Sequence, residues 1–359
     1  MGMSGFERGL VSLVTLTLIV LTVMWIGVDV RRYRVLIRST LIATFVLVVL
    51  GAFVRLSDAG LGCPDWPGCY GNLTPHHAGE QIRAAEITQP GGPVSMAKAW
   101  KEMVHRYLAM LVGALIAAIM VSAWRNRRQW QQSPAVPTVL AGAVIFQAAL
   151  GAWTVTMLLK PAIVTSHLLG GIFILSLLAW LLLRVSANDG WARAIVSTSP
   201  LRLFAAAALA ILLAQIVLGG WVSTNYAALA CADLPTCHGA WVPAMDFANA
   251  FHVIRPLGLG PDGELLTVEA LRAIHWTHRV GAIVTLFVVG GFVLALMRQP
   301  SGRKAARMLL VMLVLQLVLG LGNVWLQLPL ATAVAHNGIA AALFAWLLVV
   351  NLRMSGGEK

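Results

Sequence analysis

Long runs of apolar residues alternate along the chain with polar segments that carry arginine. A hydrocarbon core takes about 20 apolar residues per helix. On that measure the pattern predicts transmembrane helices near 10–28, 36–54, 103–123, 137–157, 162–183, 203–222, 273–297, 308–327 and 330–351. Two of the intervening segments are long, about 55–101 and 223–271. The basic clusters Arg31/Arg32/Arg34/Arg38, Arg125/Arg127/Arg128, Arg184/Arg193/Arg202 and Arg298/Arg303/Lys304/Arg307 fall in alternate short segments, with Arg353 and Lys359 at the end. The positive-inside rule makes those segments and the C-terminus cytoplasmic, and turns the two long loops outward, into a periplasm if the cell is Gram-negative. The first run has only Arg8 ahead of it and a strong cluster behind it, so it reads as an uncleaved anchor rather than a cleaved signal.

Composition agrees. Of 359 residues 59% are hydrophobic and 11% charged, whereas a soluble domain carries about 25% charged residues. The net charge of +12 is spread in short clusters between apolar runs, which fits orientation in a bilayer and excludes a nucleic-acid stripe.

The chain repeats itself. "LGAFVRLSDAGLGCPDWPGCYG" (50–71) aligns with "LGGWVSTNYAALACADLPTCHG" (218–239), pairing Gly51 with Gly219, Cys63 with Cys231 and Cys69 with Cys237. "HRY" at 105–107 matches "HRV" at 278–280, and His167 corresponds to His336. Four spans separate each element from its copy, so both copies have one orientation. The expected fold is all-α integral membrane: two parallel-repeat four-helix bundles plus an extra N-terminal transmembrane helix. The expected boundaries are 1–34 for the anchor and first cytoplasmic loop, 35–186 for the first bundle and 187–359 for the second. A smaller echo is Leu-Gly at Gly51, Gly151, Gly219 and Gly320, with Gln147, Gln215 and Gln316 each four residues before its glycine. Glycine at these places serves close helix packing or makes room for a flat ligand; the pattern leaves both open.

All four cysteines lie in the long loops, as Cys63/Cys69 and Cys231/Cys237. Outside the cytoplasm such pairs oxidise, and closure within each loop is the easiest connectivity. A metal site is the rival, but this spacing is unlike that of zinc sites and would need further ligands. His76, His77, His238 and His252 sit in the same loops and read as solvated or loop-packing residues. His105, His167, His278 and His336 instead lie a short way inside four helices at matching depth. Two imidazoles from different helices of a bundle are what axial ligation of haem iron needs, and the spacing suggests two such sites.

Arg106 and Arg279 follow their histidines directly. They either mark the membrane interface or pair with haem propionates. Glu102 precedes His105 by three residues, on the same helix face, and the matching residue of the second half is His275. One half therefore looks equipped for chemistry and the other for holding a cofactor. The plainer reading of Glu102 is an interfacial carboxylate paired with Lys101, Arg106 or a lipid head group.

These residues carry a resemblance. "RLSDAGLGCPDWPGCYG", "KAWKEMVHRY", "GAWTVTMLLKPAIVTSHLLGG", "GGWVSTNYAALACADLPTC", "AIHWTHRVGA" and "LPLATAVAHNGIAA" together resemble the haem A synthase family of cytochrome oxidase assembly proteins, in its Gram-negative bacterial form, over about 36–352. The resemblance implies oxidation of one methyl group of haem O to a formyl group. A first hydroxylation gives the alcohol, and a second gives a geminal diol that loses water. It further implies a resident haem b on His278 and His336, substrate haem on His105 and His167, and a functional glutamate at Glu102. The N-terminal bundle would then hold the substrate and the C-terminal bundle the cofactor. The implied setting is the bacterial inner membrane, with haem O, lipid, haem O synthase, oxidase assembly factors and an electron-transfer partner as associates. The extra N-terminal helix departs from the family plan.

The main rival is a di-haem b-type electron-transfer protein. It accounts for four histidines, but places both haems near one face and leaves Glu102 and the unequal halves unexplained. A haem-handling chaperone or transporter is a third reading. A prenyltransferase would need aspartate-rich diphosphate-binding motifs, which the spans and inner loops lack.

Overall fold

The computed structural model describes residues 29–130, 132–186 and 189–355. Among these, eight helices are long and apolar enough to cross a membrane. They are α1 (Val30–Leu56), α3 (Met96–Trp130), α4 (Ala135–Thr156), α5 (Pro161–Val185), α6 (Ser199–Thr224), α8 (Val268–Met297), α9 (Arg303–Trp325) and α10 (Leu330–Ser355). Each contains or closely matches one of the last eight runs, and the chain is a multi-pass membrane protein. The expected span at 10–28 lies outside the described residues. Two short helices, α2 (Gly79–Thr88) and α7 (Phe247–Ala250), lie in the long loops, where the hydropathy pattern predicts none.

Local chemistry sets the helix ends. The Asp29 side chain accepts from the Arg32 amide at 2.7 Å, and Thr267 accepts from Ala270 at 3.2 Å, so each satisfies an otherwise open N-terminal donor. At the far ends Asp58, Leu158, Leu159, Tyr226, Gln327 and Leu328 take positive φ. These left-handed residues turn the chain out of α1, α4, α6 and α9 and close the last helical carbonyls.

Two compact units are present. Of the described residues, one contains those up to Leu159 together with Phe173–Val185; the other contains Lys160–Ile172 and the described residues from Ser186 on. In the second, α6 packs on α8, α8 on α9, α9 on α10 and α10 back on α6. That closed ring is a four-helix bundle. In the first, α3 packs against both α1 and α4.

Each unit buries its own cysteine loop. Cys63 and Cys69 form an apolar cluster with Ala78, Ile82, Ala99 and Met103, so α2 and the start of α3 cover the disulfide. Gly62 makes this approach feasible, because a Cβ there would stand 2.5 Å from the backbone carbon of Lys98. In the second unit the loop rests on a cluster of Trp221, Ala227, Ala250, Ala273 and Ile274. The two loops are pinned alike: the Tyr107 hydroxyl donates to the Leu73 carbonyl, and the Trp276 indole donates to the Trp241 carbonyl at 2.9 Å.

Candidate functional site

The four cysteines form the two disulfides expected of them, Cys63–Cys69 and Cys231–Cys237, with Cα atoms 4.9 and 4.8 Å apart. An aspartate braces each loop from within. Asp65 accepts from the amides of Tyr70 and Gly71, both at 2.6 Å. Asp233 accepts from the amides of His238 at 2.6 Å and Gly239 at 3.0 Å, and from the Thr236 hydroxyl at 2.6 Å. Those donors favour the charged form and hold the Asp233 carboxyl well below the usual carboxylate range.

Arg106 and Arg279 fasten these loops to their helices. Arg106 donates to the carbonyls of Asp65 at 2.9 Å, Pro67 at 3.3 Å and Gly68. Arg279 donates to those of Asp233 and Thr236, both at 2.9 Å, and to Cys231. One turn earlier on each helix, Glu102 and His275 occupy the same structural place. Glu102 is buried, accepts from the Cys63 amide at 2.9 Å and forms an ion pair with Arg106. His275 is buried too, with Nδ1 3.2 Å from the Cys231 amide and Nε2 3.3 Å from Nε of Arg279. A carboxylate can take both donors together. A neutral imidazole has one acceptor nitrogen, so only one of the two contacts to His275 is a hydrogen bond at any instant.

The helix histidines are seated on glycines. A Cβ added to Gly51 would stand 3.1 Å from Cε1 of His105; at Gly219 it would stand 3.0 Å from Cε1 of His278, and at Gly320 3.0 Å from Cε1 of His336. Each glycine lies on the preceding spanning helix, so a missing side chain there makes room for the imidazole. At three of its four places the Leu-Gly echo therefore lies against an imidazole. The glutamines one turn earlier face the same rings. The Gln215 amide nitrogen lies 3.0 Å from Nδ1 of His278 and donates to the His278 carbonyl at 3.0 Å. That of Gln316 lies 3.2 Å from Nε2 of His336. His278 and His336 lie on helices of one bundle.

Position along the helices repeats as well. His105 is the tenth residue of α3 and His278 the eleventh of α8, whereas His167 and His336 are each the seventh of α5 and α10. Such a bundle, with two imidazoles seated by glycine and apolar walls around them, fits a haem and its two axial ligands.

Two of the four loop histidines have hydrogen-bond partners within their own loops. His77 Nδ1 lies 2.8 Å from the Thr74 hydroxyl, and His238 Nε2 lies 2.9 Å from the Ala230 carbonyl. Arg55 pairs with Asp58 at 3.7 Å. One buried cation escapes sequence inspection altogether. Arg255 donates to Asn225 and to the Leu259 carbonyl, and its guanidinium lies 5.8 Å from the Trp221 ring. No periodicity marks it. The glutamine spacing, by contrast, is visible in sequence, and only the geometry ties it to the histidines.

A family model described as cytochrome oxidase assembly protein matches residues 34–348. A "Heme A synthase" of Shewanella oneidensis is 42% identical over 324 residues, which cover 88% of this chain and 94% of that protein. Proteins of the same name from Allorhizobium ampelinum and Halalkalibacterium halodurans are 29% and 27% identical, covering 90% and 69% of this chain and 90% and 77% of their own lengths. On the extent of the family match and the level of identity to the Shewanella protein, the chain belongs to the cytochrome oxidase assembly protein family.

Proposed function

We propose that this protein is a haem A synthase. It oxidises a methyl group of haem O to a formyl group through an alcohol and a geminal diol, and the loss of water from the diol leaves the aldehyde. The observation that carries the reading is the triple seating of His105, His278 and His336 on Gly51, Gly219 and Gly320, in a chain similar to named haem A synthases over most of its length.

His278 and His336 hold the resident haem b, which supplies one-electron redox chemistry beside the substrate reaction. His105 and, by the internal repeat, His167 take the iron of the substrate haem. Glu102 serves the oxidation from the same helix as His105, one turn away, by stabilising positive charge or handling protons at the macrocycle rim. The ion pair with Arg106 and the Cys63 amide keep that carboxylate in one orientation. Arg106 and Arg279 are clamps of the cysteine loops, since their donors are directed to loop carbonyls. The cysteine loops face the periplasm and the C-terminus the cytoplasm of a bacterial inner membrane, in accord with the distribution of arginine. Partners are haem O, lipid, the haem O-forming enzyme, oxidase assembly factors and an electron-transfer protein.

The test is extraction and mass analysis of haems from cells that express this chain together with a haem O source. Haem A, or its hydroxylated precursor, is the expected product. Haem b bound with haem O unchanged, despite a working electron supply, would point to a di-haem electron carrier.

A further inference from the structure

The two cysteine loops are pinned to their helices alike, yet the segments that follow them differ in kind. Leu73 offers its carbonyl to Tyr107 in the first unit, and Trp241 offers its carbonyl to Trp276 in the second. Beyond Leu73 the chain is polar, with His76, His77, Glu80, Arg83 and Glu86 in close succession. Beyond Trp241, as far as Ile254, the only acidic or basic side chains are Asp246 and His252. Asp246 is turned back on its own segment, where it accepts from the Asn249 amide at 3.1 Å and from the Asn249 side chain at 2.6 Å.

This almost uncharged stretch is also uncovered. Trp241 is 71% exposed and Val242 69%, and Phe247 is exposed as well. The Phe247 ring stacks with Phe251 and meets Trp276 edge-on, with centroids 6.5 Å apart. An exposed apolar patch of this kind marks contact with protein or with membrane.

Depth decides between them. Trp276 is the ninth residue of α8 and lies near the start of its apolar run, where tryptophan belongs at a bilayer–water boundary. Val280, Ile283 and Phe287 follow it at intervals of four, three and four residues, which puts all of them on one helix face. All three are exposed, so this face of α8 is open to acyl chains up to Trp276. There the indole reaches Trp241 at 2.9 Å and the ring meets Phe247. The loop patch therefore continues the lipid-facing stripe of a spanning helix at the level of its boundary tryptophan.

We propose that Trp241, Val242 and Phe247 rest in the interfacial layer of the bilayer on the side of the cysteine loops, with lipid as their partner. Aromatic rings suit that layer, which is apolar toward one side and wet toward the other. The membrane then holds the second loop from outside, while Arg279 and the Trp276 indole hold it from within. The charged segment after Leu73 stays in water. Lipid contact here depends only on α8 spanning the membrane, and not on the haem assignment.

The experiment uses the whole protein, reconstituted into bilayers of phosphatidylethanolamine and phosphatidylglycerol. Val242→Cys and, separately, Ile87→Cys carry a nitroxide label, attached without reductant so that the native cysteines stay in their disulfides. Ile87 is 78% exposed on α2 and serves as the water-facing reference. Power-saturation electron paramagnetic resonance compares collision with oxygen, which concentrates in lipid, and with a water-soluble nickel chelate. The ratio of oxygen to nickel collision should be severalfold higher at 242 than at 87. Equal ratios would overturn the proposal. A label at 242 shielded from both reagents would overturn it too, and would assign the patch to a protein partner or a second copy of the chain. Should the valine variant fail to accumulate, Trp241→Cys gives the same comparison, since Trp276 bonds the backbone carbonyl of Trp241 and not its side chain.

Discussion

The Glu102 carboxylate accepts a hydrogen bond from the backbone amide of Cys63 at 2.9 Å. A side chain proposed to serve the reaction is thereby joined to a disulfide 39 residues earlier in the chain. Its second oxygen meets Arg106, which holds the same loop by three carbonyls. In the second unit the same place falls to His275, which can satisfy only one of its two donors at a time. The two loops resemble each other in outline, and the first is held more fully.

Replacement of Glu102 separates its two roles. Glu102→Ala leaves a buried guanidinium and the Cys63 amide without their acceptor, and loss of one partner of a buried pair costs about 3–5 kcal/mol. Glu102→Gln keeps an acceptor for Cys63 and should unfold closer to wild type. Both should still bind haem and fail to turn over haem O. Thermal unfolding in detergent, read beside haem mass analysis, checks this; full activity of the glutamine variant would confine Glu102 to holding the loop.

The spans were legible because about 20 uninterrupted apolar residues have few other uses. Their ends were not. The run near 103–123 proves to be the middle of α3, Met96–Trp130, because Lys98, Lys101, Arg125 and Arg128 continue the helix while adding nothing to hydropathy. Glu102 consequently lies inside a helix, with Ala99 and Met103 buried beside it. Cysteine pairing was legible from closeness in sequence. The partners of Arg106 were not, since Asp65, Pro67 and Gly68 lie some forty residues away and accept through backbone carbonyls, which no residue type announces. The glycine and glutamine echo was visible, but its meaning depended on which ring each residue faced.

Glycine seating predicts a sharp positional effect. Gly219→Ala puts a methyl 3.0 Å from Cε1 of His278, tight enough that the ring must shift by a few tenths of an ångström and lose its present seat. The variant should fold with reduced haem b, measured as haem per protein by pyridine haemochrome. Gly113 on α3 has nothing within 4 Å of its Cβ position, so Gly113→Ala should retain haem and gain about 0.5–1 kcal/mol of helix stability. Equal haem content in the two variants would refute the seating argument.

Asp233 gives a pH dependence with a definite sign. Its folded carboxyl is held below the usual range by hydrogen bonds from Gly239, Thr236 and His238. A depressed folded pKa adds stability that is complete above the unfolded value of about 3.9, and that is lost as pH falls from there through the folded pKa. Amide hydrogen exchange at His238 and Gly239 should therefore show constant protection by Asp233 near neutrality and declining protection below about pH 4. In Asp233→Asn the acid-dependent part should vanish. A wild-type protection difference that grows on acidification would contradict the assignment.

The two arginines offer the closing test of what the loops are for. Arg279 reaches the carbonyls of Cys231, Asp233 and Thr236 through a planar fork, a geometry that lysine cannot copy. Arg279→Lys should loosen the second loop, so that a phosphine reductant opens Cys231–Cys237 faster while Cys63–Cys69 keeps its wild-type rate. Arg106→Lys should do the reverse, and more strongly, because it also disturbs the buried pair with Glu102. If the arginines instead served haem propionates, both variants would lose haem with no change in either disulfide. Reduction rates and haem content measured on the same samples distinguish the two, and the carbonyl contacts in both halves favour the disulfides as the part that responds.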